Sequence, residues 1–132
     1  MRLLLDTNIF LEILLDQVQA TACRRLLSKT AEYRLFISDF SLHSIGIILF
    51  RRNQYQVFEE FWVDVLLNAK VGMLALPGDV MNHLVQVAQR FSLDFDDAYQ
   101  YALAEYYGLS LVSLDADFDR TECGRKTPTQ LT

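Results

Sequence analysis

The chain has 132 residues, of which 52% are hydrophobic, and a formal net charge of −5. This length suits one compact domain, residues 1–132, the hydrophobic content excludes a disordered chain, and the negative charge argues against coating nucleic acid through bulk electrostatics. Because no apolar run approaches the roughly 20 residues of a membrane span, and the quickly acidic start is unlike a signal peptide, we expect a cytoplasmic protein without a membrane partner.

Short apolar segments alternate with helical patterns along the chain. Continuous apolar, β-favouring runs predict strands at 2–6, 34–38, 72–76 and 109–114. Apolar residues at helical spacing predict helices at 8–16, 21–29, 41–51, 55–68, 79–90 and 94–107, the last capped by Gly108. Strands separated by helices predict right-handed βαβ units, hence a parallel sheet with helices on both faces.

Two of the predicted strands end in carboxylates. Asp6 ends the first strand, and Asp115 and Asp117 follow the last. Because parallel strands bring their carboxyl ends to one edge of the sheet, we expect these acids to lie together. A helix cap would explain a polar residue at Asp6, but it does not by itself select a carboxylate. Clustered carboxylates repel one another, so a divalent-metal site is the leading hypothesis.

A third acid of this kind begins the helix 94–107. Ala98 and Ala102 indicate a face that packs closely on the sheet, which points Asp97 toward the strand ends. Asp94 and Asp96 have an ordinary explanation, because acids in the first turn cap a helix and interact well with its dipole. The alternative for the whole acidic segment is a solvated helix surface.

Other charged residues leave their roles open. Glu12 is the lone charge in an apolar helical run, so it either faces solvent or reaches the same cleft. His43 has apolar helical neighbours and is expected at the core boundary rather than at a ligand position. Basic residues outside the acidic segment could grip phosphates; the candidates are Arg24, Arg25, Arg51 and Arg52.

Three segments, in this order and spacing, resemble the PIN-domain family of metal-dependent nucleases, which includes the VapC-type toxins. They are Leu4-Leu5-Asp6-Thr7-Asn8, Asp97-Ala98 with the helix to Glu105, and residues 111–118. The resemblance implies a three-layer, Rossmann-like α/β/α sandwich that uses Mg²⁺ or Mn²⁺ to cleave single-stranded RNA. It places Asp6, Asp97, Asp115 and Asp117 at the family's catalytic acidic positions, and we expect the first three to hold the metal.

The resemblance also implies partners. VapC-type relatives are typically held inactive by a small antitoxin protein and self-associate as dimers. The aromatic helix 55–68, with Phe58, Phe61 and Trp62, is the best candidate surface for self-association, although the pattern favours burial of this helix in the chain's own core.

One position departs from the family pattern. A glutamate usually lies in the helix after the second strand, within Ser-x-x-Thr-x-x-Glu, and Ser44 stands there in the segment that begins at Ser38. Losing an anionic ligand weakens a site for a hard cation, so the alternative is a degenerate, non-catalytic module that binds RNA or a protein. A haloacid-dehalogenase-type phosphatase is disfavoured because Asn8 stands where its second acid belongs. A receiver domain is disfavoured because it needs a well-placed lysine after a late strand.

Overall fold

A computed structural model describes all residues, 1–132, and shows a four-stranded sheet in which every strand pair is parallel. The strands are β1 (Arg2–Leu5), β2 (Arg34–Ser38), β3 (Gly72–Leu74) and β4 (Ser110–Val112). In space they follow the order β3-β2-β1-β4. The predicted parallel α/β fold is confirmed; β2 has its predicted bounds, and the other three strands are shorter than predicted.

Six α-helices connect and cover the strands. The predicted helix 55–68 is α-helical only to Phe61 and continues as a wider π-helical segment, Trp62–Asn68. None of the helices has the length and apolar character that crossing a bilayer requires. The helices are α1 (Thr7–Leu14), α2 (Ala20–Leu27), α3 (Asp39–Arg51), α4 (Tyr55–Phe61), α5 (Met81–Phe91) and α6 (Phe95–Tyr107).

The sheet separates two hydrophobic cores, which gives the sandwich its three layers. Side chains alternate between the faces, so that Leu4 and Leu111 join the core formed with α5 and α6. Leu3, Leu5 and Val112 join the core formed with α1, α2, α3 and α4. Burial on both faces explains why the strands are continuous apolar runs rather than alternating ones.

The carboxyl end of β1 lies between the ends of β2 and β4, and it is here that the order of connections reverses. From β1 the chain passes to β2 on one side, whereas β4 returns to the other side of β1. The Asp6 N–H donates to the Val112 carbonyl at 2.9 Å, which holds the two strand ends side by side. Such a switch point is where open α/β sheets commonly bind ligands.

Gly72 on β3 packs closely against Phe36 on β2. A Cβ atom at Gly72 would lie 2.9 Å from Cδ1 of the Phe36 ring, and that ring is itself buried beneath the guanidinium groups of Arg2 and Arg34. We therefore expect Gly72→Ala to lower the free energy of unfolding by about 1–3 kcal/mol, the usual cost of overpacking. Gly78→Ala is the control, because nothing lies within 4 Å of its added Cβ. Urea denaturation measures both; equal stabilities would contradict the close approach.

Candidate metal centre

Three carboxylates converge at the carboxyl edge of the sheet. One oxygen atom from each of Asp97, Asp115 and Asp117 lies within 4.8 Å of the others. Asp97 is held in the first turn of α6, where its N–H donates to the Asp94 carboxylate at 3.1 Å. Asp115 begins the turn after β4, and its Oδ1 accepts the Asp117 N–H at 2.9 Å. Local capping bonds thus fix the backbone of all three acids, which we call the acidic cluster.

Asp6 lies outside the acidic cluster and is the most buried of the four predicted acids, with 6% of its surface exposed. Both of its oxygens are already occupied, since two oxygens offer about four lone-pair sites. The contact from Asn8 is the longest and therefore the weakest of the four. Oδ1 accepts from Thr7 N (2.8 Å) and Gln100 Nε2 (2.9 Å), and Oδ2 accepts from Ser113 Oγ (2.7 Å) and Asn8 Nδ2 (3.4 Å).

A network of buried hydroxyl groups continues from Asp6 to α3. Ser41 Oγ accepts from Gln100 Nε2 at 2.8 Å and from Ser38 Oγ at 3.1 Å. Because both of its lone pairs are then used, the Ser41 hydroxyl must donate its own hydrogen to Thr7 Oγ1, 2.7 Å away. The Thr7 hydroxyl is consequently free to donate its hydrogen outside the network.

Burial and mutual repulsion alter the protonation of these acids. Burial, followed by the charges of Asp115, Asp94 and Asp6, raises the pKa of Asp97 to about 7. Of these charges, that of the Asp115 carboxylate is the largest contributor after burial. Burial also raises the pKa of Asp6, while the hydrogen bonds from Ser113, Gln100 and Thr7 oppose that rise. No positive charge is among the groups that set the pKa of Asp97 or of Asp6.

The acids fit a hard divalent cation. Every side chain in the acidic cluster offers oxygen, the ligand atom that Mg²⁺ and Mn²⁺ prefer, and none offers sulfur or imidazole nitrogen. Asp117 is exposed and Asp97 and Asp115 are half-buried, so the cluster is open to solvent on one side. The predicted metal set named Asp6 in place of Asp117, and the roles of all four acids stay predictions.

The remaining candidates lie elsewhere. The Glu12 carboxylate accepts the Gln19 N–H at 2.8 Å and so holds the turn between α1 and α2. Asp96 and His43 are exposed, and neither contributes to the acidic cluster. Ser44 is half-buried one helical turn after Ser41, which is the relation that the family pattern requires of the glutamate position.

Two further arginine residues, Arg120 and Arg125, lie near the acidic cluster. Arg120 lies 3.8 Å from Asp117, and Arg125 donates to the Ser113 carbonyl at 3.1 Å and to Asp119. Arg51, by contrast, is the last residue of α3. It lies about 18 Å along the helix axis from the carboxyl edge of the sheet, where α3 begins.

Sequence reasoning missed Gln100, Ser113 and Ser41. Gln100 carried a readable signal, since it is an amide on an otherwise apolar helical stretch one turn after Asp97. The serines carried none, because a small hydroxyl at a strand or helix end is common.

Comparison with known proteins identifies the family. A model of the PIN domain matches residues 3–122, so the chain belongs to the PIN-domain family. Solved structures share the fold: a toxin–antitoxin complex from Klebsiella pneumoniae is 21% identical, with a TM-score of 0.73 and coverage of 95% of this chain and 96% of that one. No curated protein sequence matches the chain.

Two further structures extend the comparison. VapC20 of Mycobacterium tuberculosis, described as a toxin that cleaves the sarcin-ricin loop, is 17% identical, with a TM-score of 0.72 and coverage of 89% of this chain and 92% of that one. VapBC2 of Rickettsia felis, bound to a DNA fragment from its promoter, is 13% identical, with a TM-score of 0.78 and coverage of 96% and 98%. At these identities the likeness shows the fold.

The raised pKa of Asp97 predicts a pH dependence of stability without metal. Between the unfolded value near 3.8 and the folded value of about 7, the folded chain binds more protons than the unfolded chain. The contribution of Asp97 is therefore fully present below about pH 4 and is lost as pH rises toward 7. Asp97→Asn should remove this loss, making the variant more stable than the parent at pH 8 by roughly 1–2 kcal/mol after allowing for partial exposure.

Urea denaturation in EDTA from pH 4 to 8 measures this effect. Asp96→Asn is the control, because Asp96 is exposed in the same helical turn. If the parent and Asp97→Asn lost stability in parallel as pH rose, Asp97 would not carry the proton.

Proposed function

We propose that the chain is a divalent-metal-dependent endoribonuclease of the PIN/VapC toxin type, which hydrolyses phosphodiester bonds in single-stranded RNA. The observation that carries this proposal is the convergence of Asp97, Asp115 and Asp117 within 4.8 Å, at the sheet edge where Asp6 is buried. Membership of the PIN-domain family supports the reaction class.

Each acid has a role that follows from its surroundings. Asp97 and Asp115 would hold Mg²⁺ or Mn²⁺, with Asp117 on the exposed side. Asp6 would contribute negative charge from the buried side, and it would serve as a ligand if the long Asn8 contact were given up. A bound cation would offer positive charge to a phosphate oxygen and lower the pKa of water. Asp97 would have to be ionised to act as a ligand. Asp117 orients water at the open side.

Of the two flanking arginines, Arg120 suits a phosphate beside the scissile bond, whereas Arg125 is already paired with Asp119 and a backbone carbonyl. Arg120 is about half exposed, and its Nη2 donates to the Ser92 carbonyl at 2.9 Å and lies 3.8 Å from Asp117. The pairing with Asp117 is weak, so the other guanidinium donors are available. Contacts to flanking phosphates position RNA without reading its sequence.

An antitoxin protein is the partner we propose. The structures from Klebsiella pneumoniae and Rickettsia felis are of toxins with their antitoxins, and both share the fold over nearly the whole chain. Self-association is also proposed. In the segment 55–68, Phe61 is buried in the chain's own core, whereas Trp62 is 41% exposed and available to a second copy. A strictly monomeric light-scattering profile over a wide concentration range would argue against the dimer.

The second candidate function is a non-catalytic binding module, and Ser44 is the observation that favours it. Ser44 lacks the carboxylate of the family pattern, and Glu12, which could have replaced it, is tied to the Gln19 N–H. A site with one acid fewer binds cations more weakly.

The proposed function predicts that metal stabilises the folded chain. Millimolar Mn²⁺ or Mg²⁺ should raise the thermal midpoint, since a ligand that binds only the folded state adds about 2.7 kcal/mol at a hundred times its Kd. Asp6→Asn and Asp97→Asn should abolish most of that rise and the cleavage of a labelled single-stranded RNA. Asp64→Asn is the control, because Asp64 is exposed on the π-helical segment. An unchanged parental midpoint at millimolar Mn²⁺ would refute the metal site.

Ser44→Glu separates the two candidate functions. The added carboxylate should lower stability without metal, because another like charge joins the acids. It should tighten divalent binding, more for Mg²⁺ than for Mn²⁺, since magnesium depends more on carboxylate oxygen. A metal-dependent gain in RNA cleavage would support the nuclease, and tighter metal binding without cleavage would support the binding module. If neither stability nor metal affinity changed, Ser44 would not face the site.

A further inference from the structure

Gln100 is an unusual residue for its position. It lies in the middle of α6, within Ala98–Ala104, where every residue is buried, and only 1% of its own surface is exposed. A buried amide is unfavourable unless its polar atoms are paired, whereas leucine or methionine would fill the same space without that requirement. The amide therefore has a use at this position that an apolar side chain could not supply.

The Gln100 amide donates both of its hydrogens and accepts none. Nε2 donates to Asp6 Oδ1 at 2.9 Å and to Ser41 Oγ at 2.8 Å, while the buried Oε1 has no partner. Rotating the amide by half a turn would pair Oε1 with a carboxylate oxygen of Asp6, and two acceptors repel. Asp6 thus sets the orientation of the Gln100 amide, and this orientation leaves Gln100 Oε1 without a hydrogen-bond partner.

These two bonds join three parts of the fold. Asp6 follows β1, Ser41 lies on α3, and Gln100 lies one turn after Asp97 on α6. Residues three apart on a helix lie on the same side, so the Gln100 amide has a fixed position relative to Asp97. Rotation of the Asp6 carboxylate is consequently tied to the helix that supplies Asp97.

We infer that Gln100 is a positioning residue, whose amide fixes the rotation of the Asp6 carboxylate against Asp97 and thereby sets the divalent-cation affinity of the acidic cluster. The inference rests on the proposed function for its metal. Groups that orient metal-binding side chains commonly change metal affinity or activity by about 10–100-fold when they are replaced.

The first test compares two variants of the full chain with the parent by calorimetry with Mn²⁺ alone. Gln100→Met keeps the length and packing of the side chain but removes both donors, and it should weaken Mn²⁺ binding by about tenfold or more. RNA cleavage should fall through kcat, with KM for RNA nearly unchanged. Gln54→Met is the matched control, because Gln54 also has a buried, unpaired Oε1 but lies at the start of α4. It should bind Mn²⁺ as the parent does.

A reciprocal exchange separates positioning from packing. In Gln100→Glu, two carboxylates face each other, so the thermal midpoint should fall. In the double variant Asp6→Asn with Gln100→Glu, the amide at position 6 donates to the carboxylate at position 100. The hydrogen bond is thus restored with donor and acceptor exchanged, and the thermal midpoint should recover. Mn²⁺ affinity should not recover, because the carboxylate now lies on α6. Full recovery of Mn²⁺ affinity would overturn the inference.

The remaining outcomes distinguish this inference from the proposed function. If the parent binds Mn²⁺ and cleaves RNA but Gln100→Met binds Mn²⁺ equally well, the inference fails alone. If the parent binds Mn²⁺ without cleaving RNA, and Gln100→Met binds it more weakly, the inference stands and the ribonuclease proposal fails. If the parent binds no Mn²⁺, both fail.

Discussion

The burial of the Asp6 carboxylate is the constraint on which the carboxyl edge of the sheet depends. A carboxylate removed from water is unfavourable unless donors replace its hydration, and Asp6, at 6% exposed, receives four. These donors come from α1, α6 and the end of β4. Aligning them requires that β1 be central and that α6 pack directly over its end. The small side chains of Ala98 and Ala102, both fully buried, permit that close approach.

The acidic cluster adds an opposing requirement. Its three carboxylates lie close together, and burial with the negative charges of Asp115, Asp94 and Asp6 raises the pKa of Asp97. In the absence of a cation, protonation of Asp97 relieves part of the repulsion between these carboxylates. Capping bonds from the Asp94 and Asp115 carboxylates fix the local backbone at Asp97 and at Asp117. The repulsion within the acidic cluster therefore lowers the stability of the folded chain, as is common at sites that bind a charged group.

Much of this arrangement could be predicted from the sequence, because all strands of a parallel sheet run in the same direction and end at the same edge. Asp6 and Asp115 end apolar runs, so a parallel sheet must bring them to one edge, and Ala98 indicated the orientation of Asp97. The sequence could not show that Asp117, rather than Asp6, would converge with the other acids. This difference depends on how each side chain rotates, which the pattern of strands does not determine. Nor could the sequence show the π-helical continuation after Phe61, since the hydrophobic pattern of 55–68 suits an unbroken α-helix equally well.

The donors to Asp6 are also remote along the chain. Gln100 lies 94 residues and Ser113 107 residues away from it. Contacts of such long range form late, because the entropy of closing the intervening loop opposes them. During translation β1 leaves the ribosome early, but its neighbour β4 is made more than a hundred residues later. A nascent chain therefore cannot assemble this edge of the sheet, and with it the acidic cluster, until β4 and the turn after it have been made.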